Sequence, residues 1–121
     1  MNILKRKTID KLKNIKKNLS YDMEKNYHDM INTMIDYDNE SQDNIYLYDN
    51  CLNTVEFVDD ETLQYYVDYQ VKTFGYDRLF YMFNNVNNVC GLYVIDGYGN
   101  LRDVEIDDFE YCIDNAIEQL S

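Results

Sequence analysis

The sequence predicts an α+β fold: a helical N-terminal arm, then a small antiparallel sheet with a C-terminal β-hairpin followed by a capped helix. Three observations lead there. Residues 92–120 (LYVIDGYGNLRDVEIDDFEYCIDNAIEQL) read as strand, tight turn, strand and helix. Apolar residues of the first 37 positions recur at helical spacing. No internal repeat and no linker divides the 121 residues, so residues 1–121 read as a single domain around one core.

In chain order, Ile9, Leu12, Ile15 and Leu19 keep a three-to-four spacing with lysines on the remaining faces. The pattern resumes at Met23, Tyr27, Met30 and Met34 after a phase slip near Ser20. The expectation is helix from about 8 to about 37, bent or broken where Ser20 could cap a second helix with Asp22 and Glu24 in its first turn. Residues 37–44 (YDNESQDN) read as a polar loop. Residues 45–58 alternate enough to suggest two short strands about Asp49 and Asn50, although Ile45, Tyr48, Leu52 and Val55 also fit a helix face. Asp59 and Asp60 start a helix that turns Leu63, Val67, Val71 and Phe74 inward and ends at Gly75. Asp77 caps another, with Leu79, Phe80, Phe83 and Val86 inward, before the Asn-rich loop 84–88.

The C-terminal unit is the most legible. Gly97 and Gly99 flank Tyr98 in a loop where a hairpin needs positive φ. The next strand alternates, Val104 and Ile106 to one side, Asp103 and Glu105 to the other. Asp107 and Glu110 have the spacing of a capping box. Behind them Phe109, Cys112, Ile113, Ala116, Ile117 and Leu120 share one helix face, opposite Glu110, Asp114 and Glu118.

Charge divides the chain. The whole carries −12, but residues 1–20 carry +6 and the other 101 carry −18. All 13 tyrosines lie in the acidic part, leaving a basic helical arm (1–20) on an acidic, Tyr-rich body (21–121). Such a body repels DNA and anionic membranes. The arm has two readings: a contact for nucleic acid or an acidic partner, or an amphipathic helix packed on its own body. Cys51, Cys90 and Cys112 have no paired spacing and read as reduced, mostly buried thiols of a cytosolic protein. Lys5, Arg6 and Lys7 precede no apolar h-region, so a signal peptide is not expected, and no run has the length of a membrane span.

Catalytic and metal patterns are missing. The stretch from Asp96 (DGYGNLRDVEID) mimics an EF-hand loop superficially, but Leu101 stands where glycine is needed and Asp107 where glutamate is needed. No Cys-x-x-Cys or His-x-x-x-His pair offers a zinc site. The two glycines lack the rest of any phosphate loop, and neighbouring carboxylates would repel phosphate. A metal-dependent nuclease wants a lysine near its carboxylates, yet beyond residue 25 only Lys72, Arg78 and Arg102 are basic. His28, the lone histidine, has no spacing that pairs it with a cysteine nucleophile and reads as structural or solvated. The expectation is a non-enzyme with no cofactor and no metal.

What remains is surface chemistry. Glu61, Tyr65, Asp68 and Tyr69 fall on one face of a predicted helix, and Glu110, Tyr111, Asp114 and Glu118 on one face of another. Asp103 and Glu105 continue the theme along a strand. Carboxylates four apart on a helix lie about 6 Å from one another, near the phosphate spacing of a nucleic-acid strand. Tyrosine adds contact area at small entropic cost. Acidic faces also serve plain solubility, but solubility does not call for 13 tyrosines. These ten residues are the candidate partner-binding set.

In its stretches DDETLQYYVDY and DDFEYCIDNAIEQ the chain resembles the phage-encoded anti-defence proteins, among them anti-CRISPR proteins and DNA-mimicking restriction inhibitors. The resemblance is one of character, without a shared motif, and leaves out the +6 arm. It implies an inhibitor acting in the host cytoplasm, which occupies the nucleic-acid channel of a CRISPR effector nuclease or restriction enzyme. Under the resemblance the basic arm would contact bound guide RNA or mediate homodimerisation against an acidic face. Two other classes fit the same composition: an immunity protein or antitoxin for a basic toxin nuclease, and a self-assembling or regulatory domain whose tyrosines form an oligomer interface.

Overall fold

Asn2 starts the first helix of the computed structural model: its side-chain oxygen accepts the Lys5 backbone N–H at 2.7 Å, and helix α1 runs Ile3–Lys17. Lys16 and Lys17 in its last turn suit the negative end of the helix dipole. Helix α2 runs Met23–Glu40, capped by Asp22, which accepts from Lys25 N–H at 3.1 Å. Helix α3 runs Ile106–Leu120. The structure describes residues 2–47, 54–56, 65, 68, 72, 81–84, 91–95 and 101–121.

The turn between α1 and α2 is held by one buried side chain. Asn26 accepts the Ser20 backbone N–H at 3.1 Å and donates to the Ser20 carbonyl at 2.7 Å. Ser20 therefore does not cap α2. Its hydroxyl accepts the Asp22 backbone N–H at 3.2 Å, and Asp22 is the cap. The helices also differ in extent from expectation: α1 begins five residues earlier than residue 8, and α2 continues to Glu40 through what reads as a polar loop.

The chain divides into two compact units, Met1–Cys51 with Glu105–Ser121, and Leu52–Val104. The first is built from the three helices and, among its described residues, contains no strand. Ile9 and Leu12 come from α1, Tyr27, Met30, Ile31, Met34 and Tyr37 from α2, and Phe109, Cys112, Ile113, Ala116 and Leu120 from α3; all are buried. Each helix packs against both others. The amphipathic N-terminal helix is thus a structural wall of this unit.

In the second unit the described residues are short backbone segments. Thr54–Glu56 pairs in parallel with Tyr81–Asn84, which pairs antiparallel with Gly91–Ile95, and that segment with Leu101–Asp103. Tyr65, Asp68 and Lys72 are helical and exposed. The expected helix through Phe80 and Phe83 is corrected, since residues 81–84 are extended.

The α+β class is corrected as well. The part of the chain whose packing is described is helical, three helices without a strand. The sequence puts a sheet under the C-terminal helix because a strand-like stretch immediately precedes it. Among the described residues the apolar stripe of α3 packs instead on α1 and α2, some ninety residues away in the chain, because three complementary helical stripes can share one core.

The start of α3 moves too. Asp103 ends its strand, Val104 is buried, Glu105 is the N-cap, and Ile106 is already helical. The Asp108 carboxylate accepts the Glu105 backbone N–H at 2.9 Å, so the reciprocal cap lies two residues before the expected Asp107–Glu110 pair.

Candidate functional site

With the helix start corrected, α3 has a definite outer ridge. Asp107, Tyr111, Asp114 and Glu118 stand at i, i+4, i+7 and i+11, opposite the buried Phe109, Cys112, Ile113 and Ala116, and all four are exposed. Tyr111 keeps 47% of its surface. Asp107 is the residue that sequence reasoning missed as a surface group. It was spent on a cap, because two overlapping acid pairs satisfy the same spacing rule. Glu110 sits at the edge of the ridge and is half-buried.

Electrostatically the ridge is unevenly neutralised. Lys16 Nζ donates to Asp114 Oδ1 at 2.8 Å. That hydrogen bond, with the charges of Asp114 and Glu110, holds the Lys16 ammonium above its ordinary pKa. Asp107 and Glu118 have no ion pair among the described residues. One lysine of the basic arm thus serves the acidic helix of its own unit.

The remaining candidates lie on other elements. Glu105 is exposed but belongs to the start of α3, and Asp103 is exposed at a strand end, so the single strand face expected for this pair does not exist. Tyr65 (74% exposed) and Asp68 lie on described helical positions three apart in the second unit. Glu61 and Tyr69 lie outside the described residues, as do Cys51, Cys90, Gly97 and Gly99. The structure brings together Glu110, Tyr111, Asp114 and Glu118, and adds Asp107.

α1 has an outer ridge of its own. Arg6, Asp10, Lys13 and Lys17 stand at i, i+4, i+7 and i+11, opposite the buried Thr8, Ile9 and Leu12, and all four are exposed. Lys7 and Lys11 flank a shallow α1–α2 groove whose other wall carries Asp29, Asp36 and Glu40. At the far end of α2 a polar knot closes the chain. The Tyr37 hydroxyl donates to the Asp43 carboxylate, Asp43 Oδ1 accepts the Ile45 N–H at 3.0 Å, and Asp38 accepts the Leu47 N–H at 2.8 Å. Hydrogen bonds from Ser41 and Tyr37 hold the Asp43 carboxyl below its usual range, with Lys5 adding to the effect from 4.0 Å. Burial, then the Asp43 bond, pushes the Tyr37 phenol up.

Other chemistry is sparse. His28 is exposed and meets the Tyr27 ring edge-on at 5.4 Å. Cys112 is a buried thiol. Among the described residues no three His, Cys, Asp or Glu side chains are grouped to hold a metal, and no helix is long and apolar enough to cross a membrane. Comparison with protein families, with curated proteins and with solved structures finds no match to this chain.

Proposed function

We propose that the protein is a non-catalytic inhibitor that docks the outer ridge of α3 on a cationic, nucleic-acid-processing protein and blocks substrate entry. One observation carries this reading. Glu110, Asp114 and Glu118 are like charges four apart on one helix, an arrangement that costs helix stability. Glu118 also stands near the C-terminal end of α3, where the helix dipole disfavours a carboxylate and no basic residue compensates in the last turn. At Glu118, which has no ion pair among the described residues, folding alone would favour a lysine. A ridge kept acidic against its own helix, with a half-exposed tyrosine among the carboxylates, suits recognition of a lysine- and arginine-lined groove.

The partner is defined by chemistry: a restriction nuclease or a CRISPR effector both present such a groove. The test is capture from lysate by wild type and by Asp107→Lys/Glu118→Lys, at low and high salt and with competing DNA. This pair leaves the Lys16–Asp114 contact in place. A nucleic-acid-binding protein captured by wild type, displaced by salt or DNA, and lost to the variant supports the proposal. Equal capture by both refutes the assigned face.

A further inference from the structure

The outer ridges of α1 and α3 share one geometry. Arg6, Asp10, Lys13 and Lys17 repeat the i, i+4, i+7, i+11 positions of Asp107, Tyr111, Asp114 and Glu118. Each ridge spans about 16 Å along its axis. Laid side by side in parallel, they match at every step: Arg6 on Asp107, Asp10 on the Tyr111 ring edge, Lys13 on Asp114 and Lys17 on Glu118. The antiparallel alignment sets Asp10 against Asp114 and is disfavoured. Within one molecule the two ridges both face away from the core they share, and the Lys16–Asp114 pair uses a lysine outside the α1 ridge.

We infer that the α1 ridge of one copy of this chain docks in parallel on the α3 ridge of a second copy. The one acid within the basic ridge is what favours this partner over nucleic acid. Against a phosphate backbone Asp10 is a repulsive defect, whereas against α3 it falls opposite the only uncharged residue of the ridge. Asp114 can serve both contacts, since Lys16 occupies Oδ1 and a carboxylate has several acceptor positions. Exposed ion pairs are individually weak, so the association is concentration-dependent and salt-sensitive. The contact uses the ridge that the proposed function gives to a foreign partner, but its test needs no partner, and each reading can fail while the other stands.

The test is sedimentation equilibrium of the full chain, whose single-copy mass is 14.6 kDa. At about 0.1 M salt the Debye length is about 10 Å, enough to screen the overall repulsion of two acidic molecules while contact pairs persist. There the mass should rise with protein concentration, and at about 1 M salt it should return to one copy. Lys13→Glu/Lys17→Glu and Asp107→Lys/Glu118→Lys, each with unchanged helical circular dichroism, should be monomeric alone. Mixed, they retain one intact pair of ridges and should form a dimer. A wild-type chain that stays monomeric at 0.1 M salt overturns the inference. So does association that survives 1 M salt, or a mixture that stays monomeric.

Discussion

Lys16 Nζ lies 2.8 Å from Asp114 Oδ1, joining residues 98 positions apart and tying the most basic of the three helices to the most acidic of them. Both groups are part-exposed, so the bond orients α1 on α3 more than it stabilises the unit. Lys16→Met should shift the urea midpoint slightly, without a change in m, and a double-mutant cycle with Asp114→Asn should show small coupling that fades at high salt. The raised Lys16 pKa fixes the sign with pH: its contribution is complete below the unfolded-state value and is lost as pH rises through the folded one.

Leu12 distinguishes a packed helix from an appended arm. It is fully buried, as is Phe109 across the core. Leu12→Ala should cost about 2–5 kcal/mol and Phe109→Ala about 3–5 kcal/mol, followed by urea denaturation with far-UV circular dichroism. If Leu12→Ala left the unfolding of α3 unchanged, α1 would be dispensable to the core.

Asp108 tests where α3 begins. It is buried and accepts the Glu105 N–H, so Asp108→Ala should cost about 1 kcal/mol or more in a urea titration. Glu110→Gln, at the second position of the cap expected from the sequence, should leave stability nearly unchanged, since relief of the repulsion with Asp114 offsets the lost attraction to Lys16. The opposite ranking would put the cap back at Asp107 and Glu110.

The Tyr37–Asp43 knot sets two pH limits. The folded Asp43 pKa is depressed, so its stabilisation is present above the unfolded carboxylate value and lost as pH falls through the lower folded one. The folded Tyr37 pKa is raised, so its contribution holds below the ordinary phenol value and is lost as pH climbs through the folded one. Tyr37→Phe should remove the alkaline limb at this site and weaken the acid one, leaving the Ser41 bond to Asp43. Denaturant midpoints measured across pH, wild type against variant, check both limbs.

Much of the helical unit was legible in the sequence. The stripe through Phe109, Cys112, Ile113 and Ala116, the stripe through Tyr27, Met30 and Met34, and Ile9 with Leu12 are periodic, and burial follows each. Periodicity also sets what faces outward, so Tyr111, Asp114 and Glu118 could be placed on the surface of α3 before any packing was known. Charge segregation between residues 1–20 and the rest is likewise a property of sequence.

What tertiary structure decided is which surfaces meet. A helical stripe specifies that it will be buried, not by what, because hydrophobic burial is non-directional. Only the assembled unit shows that α3 takes α1 and α2 as neighbours, where the sequence suggested a sheet. The cap followed the same logic. Glu105–Asp108 and Asp107–Glu110 both satisfy the local spacing rule, and the choice fell to the pair that leaves Glu105 extended and buries Asp108. Packing of the arm followed the same logic: Ile9 and Leu12 bury it in its own core and Lys16 pairs with its own acid, while Lys13 and Lys17 stay exposed. Local rules name the faces of each helix, and long-range packing selects their partners, because local energies of about 1 kcal/mol yield to the burial of a whole apolar stripe.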